Sequence, residues 1–82
     1  MKQFRLERHN QPNKAQVYDD ILSAVFDMIK YSGLTRPFPI DEIGIYRDRC
    51  YFGDCTLLTS DGDFTREEQQ TVIQETNIDL AI

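Results

Sequence analysis

The chain contains no tryptophan, two cysteines, one histidine, three prolines and four glycines in 82 residues, and its nine basic groups are outnumbered by fourteen acidic ones. Each scarcity closes a class. Two cysteines cannot build the disulfide framework of a small secreted scaffold. Together with His9 they also fall short of the four-ligand spacing of a zinc site. His9 stands in a polar run with no serine or cysteine tied to it by a recognisable motif, so a nucleophilic triad has no footing. Gly-rich phosphate loops are absent. No run approaches the ~18 apolar residues of a membrane span, and the segment Met1–Arg8 lacks the apolar heart of a signal peptide. With no repeat, linker or low-complexity stretch, the expectation is one cytoplasmic domain over 1–82, without membrane contact, cofactor or metal.

The acidic excess is unevenly placed. Residues 1–14 carry a charge of +3, residues 15–60 carry −3 and residues 61–82 carry −5, for a net charge of −5. That balance opposes binding to nucleic acids or anionic membranes in bulk, because both depend on positive potential. A local basic patch remains compatible with it.

The segment from Ile43 to Leu58 is the most legible part of the chain. Strand side chains alternate between faces, and a hairpin decides which residues stand opposite. A reversal at Arg47–Asp48 pairs Tyr46 with Arg49, Ile45 with Cys50 and Ile43 with Phe52. Arginine is a poor occupant of a tight I′ turn, but a looser four-residue loop keeps the same register. A second reversal at Gly53–Asp54, with glycine leading as a II′ turn requires, pairs Phe52 with Cys55 and Cys50 with Leu57. One face then reads Ile43, Ile45, Cys50, Phe52, Cys55, Leu57, which is a core face and makes both cysteines buried free thiols. The opposite face reads Gly44, Tyr46, Arg49, Tyr51, Thr56, Leu58.

Elsewhere the patterns are simpler. Gln3–Arg8 alternates and reads as an amphipathic strand. Asn13 with Gln16 resembles a capping box, so a helix is expected from about Lys14, with Val17, Ile21, Val25 and Met28/Ile29 at helical spacing. Gly33 suits the left-handed position beyond its end. Pro37 and Pro39 then impose an extended connection in which Phe38 and Ile40 cover an edge of the core. Thr65–Glu68 is a capping box opening a second, weakly apolar helix anchored by Val72 and Ile73. The tail Asn77–Ile82 alternates again and reads as a closing strand.

The expected fold is therefore α+β, a small two-layer sandwich of β-α-β-β-(β)-α-β order. It has a mostly antiparallel sheet with both helices on one face, ferredoxin-like by pattern. The other sheet face is then open.

Candidate chemistry is thin. Asp61–Gly62–Asp63 followed by Glu67 and Glu68 superficially resembles a calcium loop, but the alignment puts Thr59, Phe64 and Gln70 where the leading Asp, the Gly and the bidentate Glu belong. A solvated turn before a capped helix accounts for it better. The adjacent acidic pairs Asp19/Asp20 and Glu67/Glu68 diverge around a helix and make poor acid/base partners. What remains is the open face, where Tyr46, Arg49 and Tyr51, with Arg5 from the first strand, are of the types that dominate binding hot spots.

The expectation is a non-enzymatic protein-binding module, an inhibitor, adaptor or accessory subunit of the kind that phages and mobile elements encode, with a homodimer across the same face as its other form. Two alternatives follow from the same residues. Single-stranded nucleic acid could stack on the tyrosines, although the charge balance makes nucleic acid an unfavoured partner. The acidic helices, through Asp19, Asp20, Asp27, Glu67, Glu68 and Glu75, could imitate phosphates and block a basic site.

Overall fold

A computed structural model of the chain describes residues 2–35 and 37–80, with side chains as far as Thr76. Strands β1 (Phe4–Arg8) and β2 (Gln11–Tyr18) form a hairpin that leads into helix α1 (Ile21–Tyr31). A short 3-10 turn (Ile40–Glu42) precedes the meander β3 (Ile43–Ile45), β4 (Cys50–Phe52) and β5 (Cys55–Thr59), and helix α2 (Arg66–Leu80) follows. The five strands make one antiparallel sheet in the order β2-β1-β5-β4-β3. This is the two-layer α+β class that the sequence implies.

The meander has the register that alternation dictates. Ile43 faces Phe52, Gly44 faces Tyr51 and Ile45 faces Cys50; Cys50 then faces Leu57 and Phe52 faces Cys55. Arg47 and Asp48 keep negative φ, so the first reversal is the looser loop, closed by the Tyr46 amide donating to the Arg49 carbonyl at 2.9 Å. Gly53 leads the second reversal with φ 58°.

Every meander side chain assigned inward faces the core, Ile43 and Ile45 at its partly buried edge. Cys50, Phe52, Cys55 and Leu57 are fully buried with Phe4 and Leu6 of β1, Ala24, Val25 and Met28 of α1, and Val72 of α2. Phe38 seals this layer, its ring meeting Phe52 edge to face at 4.7 Å. Both helices thus sit on one side of the sheet.

Three assignments are corrected. The helix does not start at Lys14: residues 11–18 are β2, pairing with β1 along Phe4–Tyr18 and Leu6–Gln16 with an irregularity before Arg8–Gln11. The true cap is Asp20, whose carboxylate accepts the Leu22 amide at 2.9 Å and the Ser23 amide at 3.2 Å. Pro12, which lacks an N–H, is tolerated because β2 is an edge strand. Gly33 does take the left-handed conformation just beyond α1, at φ 78°.

The tail is the second correction, since residues 77–80 continue α2. The Thr65 hydroxyl and Glu68 carboxylate cap this helix reciprocally at 3.1 and 2.7 Å. Between Thr65 and Leu80 no glycine or proline interrupts it, and propagation costs far less than nucleation. Residues 81–82 of the expected closing strand lie outside the described residues. The element order is accordingly strand, strand, helix, three strands, helix. Thirdly, Ile40 does not cover the core: it is 76% exposed in the 3-10 turn, and Phe38 covers that edge.

Candidate functional site

Both helices lie on the same side, so the other face of the sheet is bare. Across it runs a row set by register: Val17 of β2 faces Arg5 of β1, and Arg5 faces Leu58 of β5. Extending the β4–β5 register by one residue places Arg49 beside Leu58, with Tyr46 next across the Tyr46–Arg49 bond. A second row holds Glu7, Thr56, Tyr51 and Gly44.

The aromatic end of these rows is built on Gly44. The Tyr51 ring lies directly on its backbone, in space that any side chain at 44 would occupy, and Gly44 is buried beneath it. The Tyr46 ring sits 5.9 Å from that of Tyr51 at an interplanar angle of 31°, and the Arg49 guanidinium is 5.8 Å from the Tyr46 ring. A hydrogen bond with Tyr46 and the nearness of that phenol push the Tyr51 phenol above its ordinary value, against the opposing pull of Arg49. Such a phenol stays protonated at neutral pH and offers a polar handle, not an activated oxygen.

The loop carrying Tyr46 and Arg49 is held from behind. The Phe64 amide donates to the Arg47 carbonyl at 2.7 Å, and Arg47 Nε pairs with Asp63 Oδ2 at 3.2 Å.

At the other end, Gln3, Arg5, Val17, Leu58, Thr59 and Ser60 line a shallow groove of about 330 Å³. Its walls are the apolar side chains of Val17 and Leu58, and Val17 is 57% exposed. Arg5 reaches across the sheet surface to Glu7, Nε to Oε2 at 3.4 Å. Beyond Glu7, His9 Nε2 meets Thr56 Oγ1 at 2.6 Å, which ties the β1–β2 turn to the rim of this face.

The structure therefore gathers Tyr46, Arg49 and Tyr51 into one cluster and puts Arg5 on the same surface, two strands away. It adds Val17 and the groove, which sequence reasoning missed. Val17 was assigned to a helix; pairing 11–18 with 3–8 as a hairpin would have turned it outward beside Arg5.

The remaining candidates have other occupations. Asp61 and Asp63 are engaged by Lys2 at 3.8 Å and by Arg47, in a turn before α2. Among the described residues, no three His, Cys, Asp or Glu side chains converge on a point where an ion could sit. Cys50 and Cys55 are unbonded and buried. Burial pushes the Cys50 thiol up to about 12 and the Cys55 thiol up to about 11, the reverse of what a reactive cysteine needs. No described helix is long and apolar enough to cross a membrane. Compared with protein-family models, with curated proteins and with solved structures, the chain finds no match.

Proposed function

We propose that this chain is a non-enzymatic protein-binding module whose contact surface is the bare face of its sheet. One observation carries the reading: Tyr46, Arg49 and Tyr51 stand together on the side of the sheet that no helix covers, continuous with an apolar groove between Val17 and Leu58. Tyrosine and arginine supply large contact areas with few rotatable bonds per hydrogen bond made, and uncovered clusters of them are hot-spot material. The titratable groups present there are two phenols, two guanidiniums and one glutamate paired with Arg5, with the His9 imidazole at the rim held by Thr56. They make a surface for recognition better than a site for proton transfer.

Simultaneous Tyr46→Ala, Arg49→Ala and Tyr51→Ala substitution tests it. The variant should keep the far-UV spectrum and lose capture of partner or of a second copy. Retained affinity in that variant sinks the reading. Stacking of single-stranded nucleic acid is the second use of the same rings, favoured by the flat seat of Tyr51 on Gly44. Polarisation titration with mixed oligonucleotides at low salt separates the two; saturable binding there selects the nucleic acid.

A further inference from the structure

The open face is not neutral toward its partner, and its charges narrow what can sit on it. Arg49 has no carboxylate partner among the described residues; its recorded side-chain contact is the Tyr46 ring. At 5.8 Å from the ring centroid the contact is a loose cation–π one that leaves the N–H fork available for bidentate capture of a carboxylate. The acidic groups nearby leave that fork open. Glu7 pairs with Arg5, Asp48 beside Arg49 in the loop makes no ion pair with it among the described residues, and Asp41, in the turn before β3, acts on Tyr51. An incoming carboxylate is thus welcome between Leu58 and Tyr46 and opposed beyond Tyr51.

The groove sets the second requirement. Its walls, Val17 and Leu58, are aliphatic, and a volume of about 330 Å³ admits a bulky apolar side chain. Neighbouring strands are ~4.8 Å apart, so the β1 backbone beneath the groove and the β4 backbone that carries Arg49 are about 10 Å apart, two strand spacings.

Resting on the reading of this face as a protein-binding surface, we infer that its partner is an acidic amphipathic peptide segment. It seats a large apolar side chain between Val17 and Leu58 and delivers an Asp or Glu carboxylate to Arg49, two strands away from β1. The pairing works although the whole protein is acidic with a net charge of −5. Overall repulsion lowers the affinity of every acidic segment, so an acidic partner has to satisfy the groove and the guanidinium together to remain bound.

Selection of random peptides displayed on phage against the immobilised protein tests this. The expected result is enrichment of sequences that combine a bulky apolar residue with Asp or Glu. Val17→Arg, which fills the groove from an exposed edge position, should abolish their binding. Arg49→Glu should weaken it about tenfold, and replacing the peptide acid by Lys should restore binding to Arg49→Glu. Circular dichroism on both variants confirms that fold is unchanged. Neutral or basic consensus peptides that still depend on Val17 would overturn the acidic chemistry and leave the face as the binding site. Selected peptides indifferent to both variants, or no enrichment, would overturn both. Competition by oligo-dT for the selected peptides would overturn the peptide class in favour of nucleic acid.

Discussion

The two faces of this sheet are made from the same strands and follow different rules. On the helix side, Cys50, Phe52, Cys55 and Leu57 are excluded from water by Ala24, Val25, Met28 and Val72. On the bare side, one residue along each strand, Tyr51 covers only backbone, Tyr46 is 49% exposed and Val17 more so. Burial explains the first face in full, since each apolar side chain there removes itself from water. It does not explain the second, where large side chains remain wet. The difference between the faces is what the proposal of a contact surface rests on.

The largest test of that contrast is Phe52→Ala. Phe52 is fully exposed to neither solvent nor void, packing on Phe38, so truncation should cost about 3–5 kcal/mol in urea unfolding. Gly44→Ala comes next. The new methyl must evict the Tyr51 ring, at about 1–3 kcal/mol, and the penalty should shrink when Tyr51→Ala is added. If it persists in the double variant, the ring is not what fills that space.

The buried thiols give a pH-dependent effect, smaller than these within the first pH unit above the free-thiol range. An unfolded cysteine ionises near ~8.5, whereas burial holds Cys55 up to about 11 and Cys50 up to about 12. Above pH ~8.5 the folded chain keeps protons that the unfolded chain loses, so stability is intact below that point and falls as pH rises. The slope is on the order of 1 kcal/mol per pH unit per thiol, measurable by urea unfolding across alkaline buffers. A flat profile would mean the thiols are not dry.

Smallest of all, Tyr46→Ala and Arg49→Ala should each shift stability by no more than about 0.5 kcal/mol. A cost approaching that of Phe52→Ala would erase the distinction between the faces and make the cluster structural.

How much of this was legible in the sequence depends on where the deciding contacts lie. The meander could be read because strict alternation and the Gly53 reversal are local, and they fix register without help from the rest of the chain. The β1–β2 hairpin could not. Val17, Ile21, Val25 and Met28 continue one helical spacing straight across the strand–helix boundary, and Asn13 with Gln16 imitates a capping box. The actual cap, Asp20, is outwardly no different from Asp19 beside it. What decides the matter is β1, whose outer edge takes up residues 11–18, a tertiary preference overriding a local one. The tail erred in the opposite sense: six alternating residues suggested a strand, but a well-capped helix ran on into them as far as Leu80. For the site, Tyr46, Arg49 and Tyr51 were readable together because one hairpin holds them. The groove was not, because its walls come from β1, β2 and β5, and only the folded sheet brings those together.

The pairing of β1 with β5 has a kinetic side. Phe4 stands opposite Thr59, 55 positions further along, so β1 is synthesised well before its inner neighbour. The β3–β4–β5 meander closes through short loops and is free to form quickly, whereas joining the two hairpins demands closure of a long loop before any contact repays it. Until then β1 lacks its β5 neighbour, and Phe4 and Leu6 have only β2 and α1 to pack against. On loop-closure grounds the docking of the N-terminal hairpin onto β5, where Leu6 meets Leu57, is the expected slow step of folding.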